Sequence, residues 1–440
     1  MNRRTFIGTA ALGAGAIVRP HDLVAAGLDD VRARPEGRDY GLQRGGGNLP
    51  PTIQALQPMT SGIVPITEEE RRARIAKAQR LMEEQRIDAI FMEGGTSSFY
   101  YVGMRWGQSE RTFGVVIPAK GKIAYVCPGF EEDRARELIK PAFGDEVRTW
   151  QEDESPYQVI GNIVKDRGIQ FRKIGIEERV RFFIADGIRR DTGLEVVDAT
   201  PITAGCRMIK TKAEIALMQR ANDVTIAAYK AALATMREGM TQDELEGNIT
   251  AAFARLGFRG AISAQFGKWT ALPHGSATPQ KLREGDVVMI DDGVTCEGYQ
   301  SDITRTVVFG KPTQRQKDVW EIEKRAQAAA FEAIKIGAPC EAVDAAARKV
   351  IVDAGFGPGY KVPGLPHRTG HGMGLDGHEW TNFVKGNKTP IAVGMCFSDE
   401  PMLAIPGEFG IRLEDDVYIA EDGARWFTKP SPAIDKPFAD

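Results

Sequence analysis

Met289-Ile290-Asp291-Asp292-Gly293 and Ser301-Asp302-Ile303-Thr304-Arg305-Thr306 decide how this chain is read. Both are strand-like runs, and Cys296-Glu297-Gly298-Tyr299 lies between them. The pattern predicts a hairpin turning near Cys296 and Glu297, with Asp291 and Asp302 opposite each other. Cross-strand neighbours lie only about 4.5 to 5.5 Å apart. Two carboxylates that close repel, so one takes up a proton or is desolvated at a cost unless a cation sits between them.

Working outward, Glu400 and Glu414 repeat the arrangement. They flank the turn Ala404-Ile405-Pro406-Gly407, and Glu414 follows the apolar strand start at Ile411. Asp415 and Asp416 read instead as ordinary solvated or salt-bridged strand acids. Gly370-His371-Gly372-Met373-Gly374 adds an imidazole among glycines that let the backbone pack close. There are only five histidines, and four of them fall between 274 and 378. Four carboxylates and one neutral imidazole balance two divalent ions. This small, oxygen-rich set suits manganese first, with zinc, cobalt or iron as alternatives, and the lack of thiolates argues against a structural cysteine-zinc site.

In this order and these contexts, His274, Asp291, Asp302, His371, His378, Glu400 and Glu414 resemble the pita-bread metallopeptidases, the group of prolidase, aminopeptidase P, methionine aminopeptidase and metal-free creatinase. The resemblance covers roughly 205 to 430 strongly and 66 to 203 more loosely. It implies an α+β fold, with a creatinase-type α/β amino-terminal domain followed by a pita-bread catalytic domain. It further implies that Asp291, Asp302, His371, Glu400 and Glu414 hold two metals, with Asp302 and Glu414 bridging. Catalytic roles fall by the same resemblance to His274, His378 and Glu400, and substrate binding to His367 and Arg412. Asp292 stands where relatives usually have alanine, and Ser398-Asp399 replaces the common Thr-Ile before Glu400.

The rest of the chain accommodates this reading. With 440 residues, 42 % hydrophobic and 27 % charged, it has ordinary globular composition and room for two or three domains. A net charge of -3 argues against nucleic acid as a partner. Five cysteines without close spacing read as buried free thiols rather than a disulfide framework. Met1 to Ala26 has a charged start, a weakly apolar middle and small residues before a cleavage point, and Arg3-Arg4 resembles a twin-arginine signal. Export in the folded state to the periplasm is the expectation. The apolar part is too short for a membrane span, which needs about 20 residues.

Residues 27–65, rich in Gly and Pro, read as an extended lead-in or arm. A first α/β domain is expected from 66 to 203, opening on Thr67-Glu68-Glu69-Glu70, and the catalytic domain from 204 to 440. Long helices are expected from Lys212 to Met236 and from Gln314 to Ile334. Thr241 and Glu244 form a capping box for a further helix.

Together these features imply an exported peptidase acting on Xaa-Pro bonds of dipeptides or short peptides. In that reading a water bridging the two metals is acidified and attacks the carbonyl. Glu400 shuttles its proton, while His274 and His378 hydrogen-bond the carbonyl and the intermediate. Two other readings remain open: metal-dependent chemistry on a small zwitterionic non-peptide substrate, and a catalytically silent peptide- or metal-binding protein. Relatives are often dimers or tetramers, so a homodimer or homotetramer is expected.

Overall fold

The computed structural model describes residues 49–439, so the expected signal at 1–26 and the first part of the lead-in lie outside the described residues. Thr67 opens the first long helix, Glu68–Gln85, with a reciprocal capping box to Glu70. Beyond it a six-stranded mixed sheet is built from Ala89–Glu93, Gly114–Pro118, Ala124–Pro128, Glu146–Trp150, Lys173–Ile176 and Glu195–Asp198. Ala89–Glu93 is central, antiparallel to Gly114–Pro118 and parallel to Lys173–Ile176. Its five residues are all buried, as a strand covered on both faces requires. This is the α/β domain that the alternating strand and helix patterns predict.

The helix Thr200–Arg207 closes that domain, and Lys212–Leu233, capped by Thr211 and Glu214, opens the next. Gln242–Leu256 packs on it and ends at Gly257 in the left-handed conformation (φ 94°), which glycine adopts without strain. A second helix pair, Gln314–Ala333 and Glu341–Asp353, follows the strands Val287–Asp291 and Arg305–Val308. Five strands complete the domain as one antiparallel sheet: Gly370–Gly372, Glu379–Phe383, Cys396–Asp399, Asp415–Ala420 and Gly423–Trp426. The chain thus has an α/β amino-terminal domain followed by a second domain of mixed helix and sheet.

Two expectations are revised. The apolar run from Ile411 to Ile419 is not one strand: Phe409–Arg412 pairs with Met402–Ile405, and Asp415–Ala420 with Cys396–Asp399, so the chain changes sheets at Leu413-Glu414. The part of the lead-in within 49–65 is not an extended arm either. Pro51–Gln54 forms a helical turn with Ile53 fully buried, Thr52 Oγ1 donates to the Ala231 carbonyl at 2.8 Å, and Met59 N donates to Leu256 O at 2.9 Å. Leu49, Ile53, Leu56, Met59 and Ile63 all pack on the core, but prolines at 50, 51, 58 and 65 break up the run and mask their spacing in the sequence. All five cysteines are buried and free, and no helix among the described residues is long and apolar enough to cross a membrane.

Buried charge joins the two domains. Arg74 lies 3.1 Å from Glu214, with Tyr299 hydrogen-bonded to both, and Arg207 and Lys210 pair with Glu379. Burial alone raises the Glu379 carboxyl, but the nearby Arg207 and Lys210 outweigh it and hold the group down to about 2, against an ordinary 4.5. Such a group stabilises the fold above its unfolded pKa, and the contribution is lost as the pH falls toward the folded value. The Tm difference between wild type and Glu379→Gln should therefore be full at pH 7 and shrink as the pH falls from 4.5 toward 2. A difference that stays constant over that range in thermal melts would count against the ion pair as its source.

Candidate metal centre

The first hairpin turns at Glu297 and Gly298, both at positive φ (50° and 95°), one residue later than expected. Its ladder pairs Ile290 with Arg305 and Thr295 with Gln300. The two ladders share one register, and carried across the unpaired residues between them it sets Thr304, not Asp302, opposite Asp291. Asp302 is the diagonal neighbour on the same face, still within reach. Thr304 fills the opposing place usefully, because its hydroxyl bonds Asp291 Oδ1 at 2.7 Å and Glu414 Oε2 at 2.5 Å.

The second pair is in register. Met402 pairs with Arg412 and Asp399 with Asp415, so Glu400 and Glu414 face each other between two ladders. His371 lies on Gly370–Gly372, where a Cβ at either flanking glycine would strike backbone atoms within about 2.4 Å. The imidazole is 1 % exposed, and its Nε2 is 3.2 Å from Glu400 Oε1 and 3.6 Å from Asp302 Oδ2.

Candidate ligand atoms within 4.8 Å of one another form three triads: Asp291, Asp302 and Glu414; His371, Glu400 and Glu414; and Asp302, His371 and His378. Asp302, His371 and Glu414 each belong to two, and of these Asp302 and Glu414 are the carboxylates. Burial and the neighbouring carboxylates push both far above the usual carboxyl range. Burial also raises Glu400, but the hydrogen bond and charge of His371, with His367 and Arg412, bring it below the usual range.

The chemistry of this donor set fits divalent cations. The carboxylates outnumber the one buried guanidinium among them, Arg412. The His371 Nδ1 lies 3.1 Å from the Gly372 carbonyl, which can only accept, so Nδ1 keeps its proton. Nε2, which without a cation must also carry a proton to face the oxygens of Glu400 and Asp302, can give that proton up to a bound cation.

The remaining expected residues take different places. Arg412 is 3 % exposed and turned onto the acids: it pairs with Asp291 and donates to Thr304 Oγ1 at 2.8 Å and to the Pro273 carbonyl at 3.2 Å. Its guanidinium is engaged by the site's own groups and serves as counter-ion to Asp291. His367 is half-buried; its Nδ1 lies 2.6 Å from the Arg368 carbonyl and its Nε2 has no partner among the described residues. Burial lowers its pKa. His378 is exposed as a residue, its ring 4.1 Å from that of His371. Desolvation of the ring and the positive charge of His371 and Arg368 bring it down to about 4. His274 is exposed on the loop after Gly267–Ala271, and its charge is felt at both His367 and His378.

Other residues matter that strand reading passed over. Asp416, read as a solvated acid, is fully buried and its Oδ2 accepts the Asp302 N–H at 3.0 Å. Asp415 is equally buried, paired with Arg305 at 2.6 Å. Ser398, one of the departures, accepts the His371 N–H at 3.1 Å and reaches Glu400 at 3.4 Å. Asp292, the other, is forced to φ 92° and raised to about 7 by burial and then Asp291. The available signal was two-residue alternation: Thr304 follows Asp302, and Asp416 follows Glu414, by one strand period.

Known proteins carry the same architecture. The description "Metallopeptidase family M24" matches residues 216–421, and "Creatinase/Prolidase N-terminal domain" matches 74–209. An uncharacterized peptidase of Schizosaccharomyces pombe is 35 % identical over 390 residues, 84 % of each chain. An Xaa-Pro dipeptidase of Pyrococcus furiosus is 30 % identical over 363 residues, 81 % of this chain and 97 % of that one. Among solved structures, dipeptidase PepE of Mycobacterium ulcerans superposes with a TM-score of 0.77 at 30 % identity, covering 83 % of this chain and 97 % of its own.

Because Asp302 belongs to two of the triads, Asp302→Asn should reduce bound metal as well as activity. Mass spectrometry finding two divalent ions per chain in the purified variant would exclude a bridging role. Chelation should also lower the Tm of the wild type, and added metal should restore it by mass action.

Proposed function

The chain belongs to metallopeptidase family M24 and is a metallopeptidase, and from that premise we propose that it hydrolyses Xaa-Pro bonds of dipeptides or short peptides with two divalent ions. The observation that carries the proposal is the set of overlapping acid and imidazole triads that share Asp302, His371 and Glu414, bordered by two further histidines, His274 and His367. Xaa-Pro dipeptidases of Pyrococcus furiosus and Lactobacillus delbrueckii among the relatives support the substrate class.

Asp291, Asp302, His371, Glu400 and Glu414 would hold the ions, manganese first, with zinc, cobalt or iron as alternatives. When bound, divalent ions supply an acidified water and Lewis-acid polarisation of the scissile carbonyl. Glu400 is the group to accept the proton of the attacking water and return it to the peptide nitrogen. His378, neutral near pH 7, hydrogen-bonds the substrate carbonyl and the tetrahedral oxygen, with His274 beside it. His367, whose buried Nε2 has no partner among the described residues, would give that nitrogen to the substrate. Arg412 acts by neutralising and orienting Asp291.

Export by the twin-arginine route and assembly as a homodimer or homotetramer belong to the same proposal. The free, buried thiols of a protein that folds before meeting an oxidising compartment support the first.

His378→Ala should keep its metal and fold and lose about 10² to 10⁴ in kcat on an Xaa-Pro dipeptide, the scale of a positioned acid or base. Normal turnover, or loss of metal, would assign this histidine to another role. A metal-loaded wild type that cleaves no Xaa-Pro bond of any length would defeat the peptidase reading. For export, Arg3→Lys combined with Arg4→Lys should leave active, unprocessed enzyme in the cytoplasm; unchanged fractionation would point to another route.

A further inference from the structure

His378 sits in the segment 373–379 and makes no hydrogen bond of its own among the described residues, so its pose follows from whatever holds that segment. From within, Glu379 accepts the N–H groups of Leu375 at 2.9 Å and Asp376 at 3.2 Å. The hairpin adds Gln300, whose N–H and side-chain amide bond the carbonyls of Gly374 at 2.8 Å and Leu375 at 2.9 Å. The amino-terminal domain supplies the charge. Arg207, the last residue of Thr200–Arg207, reaches Asp376 and Glu379 together through one guanidinium nitrogen. Thr96 bonds Asp376 Oδ1 at 2.7 Å, Arg179 lies 3.2 Å from Asp376 Oδ2, and Lys210 lies 2.9 Å from Glu379. Both acids of the segment are thus neutralised from outside the catalytic sheet.

We propose that Arg207 is a positioning residue for His378: by gripping Asp376 and Glu379 on either side of the histidine, it makes the amino-terminal domain set the pose of an imidazole in the catalytic domain. Arg207 pairs with none of the ligand acids; besides Asp376 and Glu379 its guanidinium donates to Ser97 Oγ at 3.3 Å. Its side chain is 9 % exposed, and the two acids it holds are 15 % and 5 % exposed. Removing it leaves two little-hydrated carboxylates one helical turn's length apart in sequence without their shared partner. The segment then has reason to shift toward water and carry His378 with it. A displacement of the order of 1 Å at a group that acts on the transition state is enough to cost about 10²-fold.

This inference rests on the reading of His378 as a transition-state group, and the test separates the two. The full-length, metal-loaded enzyme is assayed on an Xaa-Pro dipeptide as wild type, Arg207→Met, Arg207→Lys, His378→Ala and the Arg207→Met/His378→Ala double variant, with metal content and Tm recorded for each. Arg207→Met should lower kcat roughly 10- to 100-fold with metal retained, and Arg207→Lys should recover most of the loss. In the His378→Ala background Arg207→Met should change kcat by less than about 2-fold, because the pose it sets no longer matters. Losses that multiply, or an Arg207→Met enzyme with normal kcat, would overturn the inference alone. Normal turnover by His378→Ala would remove the reading beneath it, and the inference with it. Should Arg207→Met fail to fold, Thr96→Val with Arg179→Met strips Asp376 of two partners from the more exposed side. Its kcat loss must likewise vanish in the His378→Ala background, and a loss that persists there rejects the coupling.

Discussion

Buried negative charge that cannot balance itself is the constraint on which this structure depends. Asp291, Asp302, Glu400 and Glu414 meet in a space where burial and mutual repulsion drive Asp302 and Glu414 far from their ordinary ionisation. Arg412 offsets part of the excess through Asp291. The remainder is what makes the site a place for divalent cations. Two hairpins from distant parts of the chain exist, in effect, to hold these acids against their own repulsion, and metal binding is the compensation.

The supports are arranged accordingly. Arg305, 1 % exposed, donates to the carbonyls of Thr304 and Glu414 and pairs with Asp415, tying the first hairpin to the point where the second changes sheets. Thr304 links Asp291 to Glu414 directly. A cation at each of these junctions would be costly if left alone in the interior, and each has an acid or several carbonyls for company. The same rule governs the domain boundary, where Arg74 with Glu214 and Arg207 with Glu379 fix the amino-terminal domain beside the His378 segment. The amino-terminal domain is therefore more than a cover, since its charges finish a segment of the site.

Much of this was legible in the chain. The helix start at Thr67, the capping box at Thr241 and periodic apolar faces located the helices within a few residues. Local signals of this kind depend on neighbours three or four positions apart, and so survive without tertiary context. The acids and His371 stood out because carboxylates in apolar strands among glycines are too costly to be incidental. The docking of residues 51–59 was not legible, since its apolar side chains lie among prolines and its hydrogen bonds run to distant helices. Asp416 was legible only in part: alternation sets it two residues from Glu414, but whether it is solvated depends on the hairpin packed against it.

Sequence alone determined the residue types of the site, the two hairpins that carry them and the α/β character of the first domain, because these follow from local periodicity and from the chemistry of clustered acids. Tertiary structure decided register, partnership and orientation. It put Thr304 rather than Asp302 opposite Asp291, because register is counted from a turn at Glu297 and Gly298, and one residue's difference there changes every pair along the ladder. It turned Arg412 inward, because a guanidinium on a strand faces either solvent or acids according to what the neighbouring hairpin places above it. It also brought Arg207 to Asp376 and Glu379 across 169 or more positions of chain, a proximity no local pattern encodes.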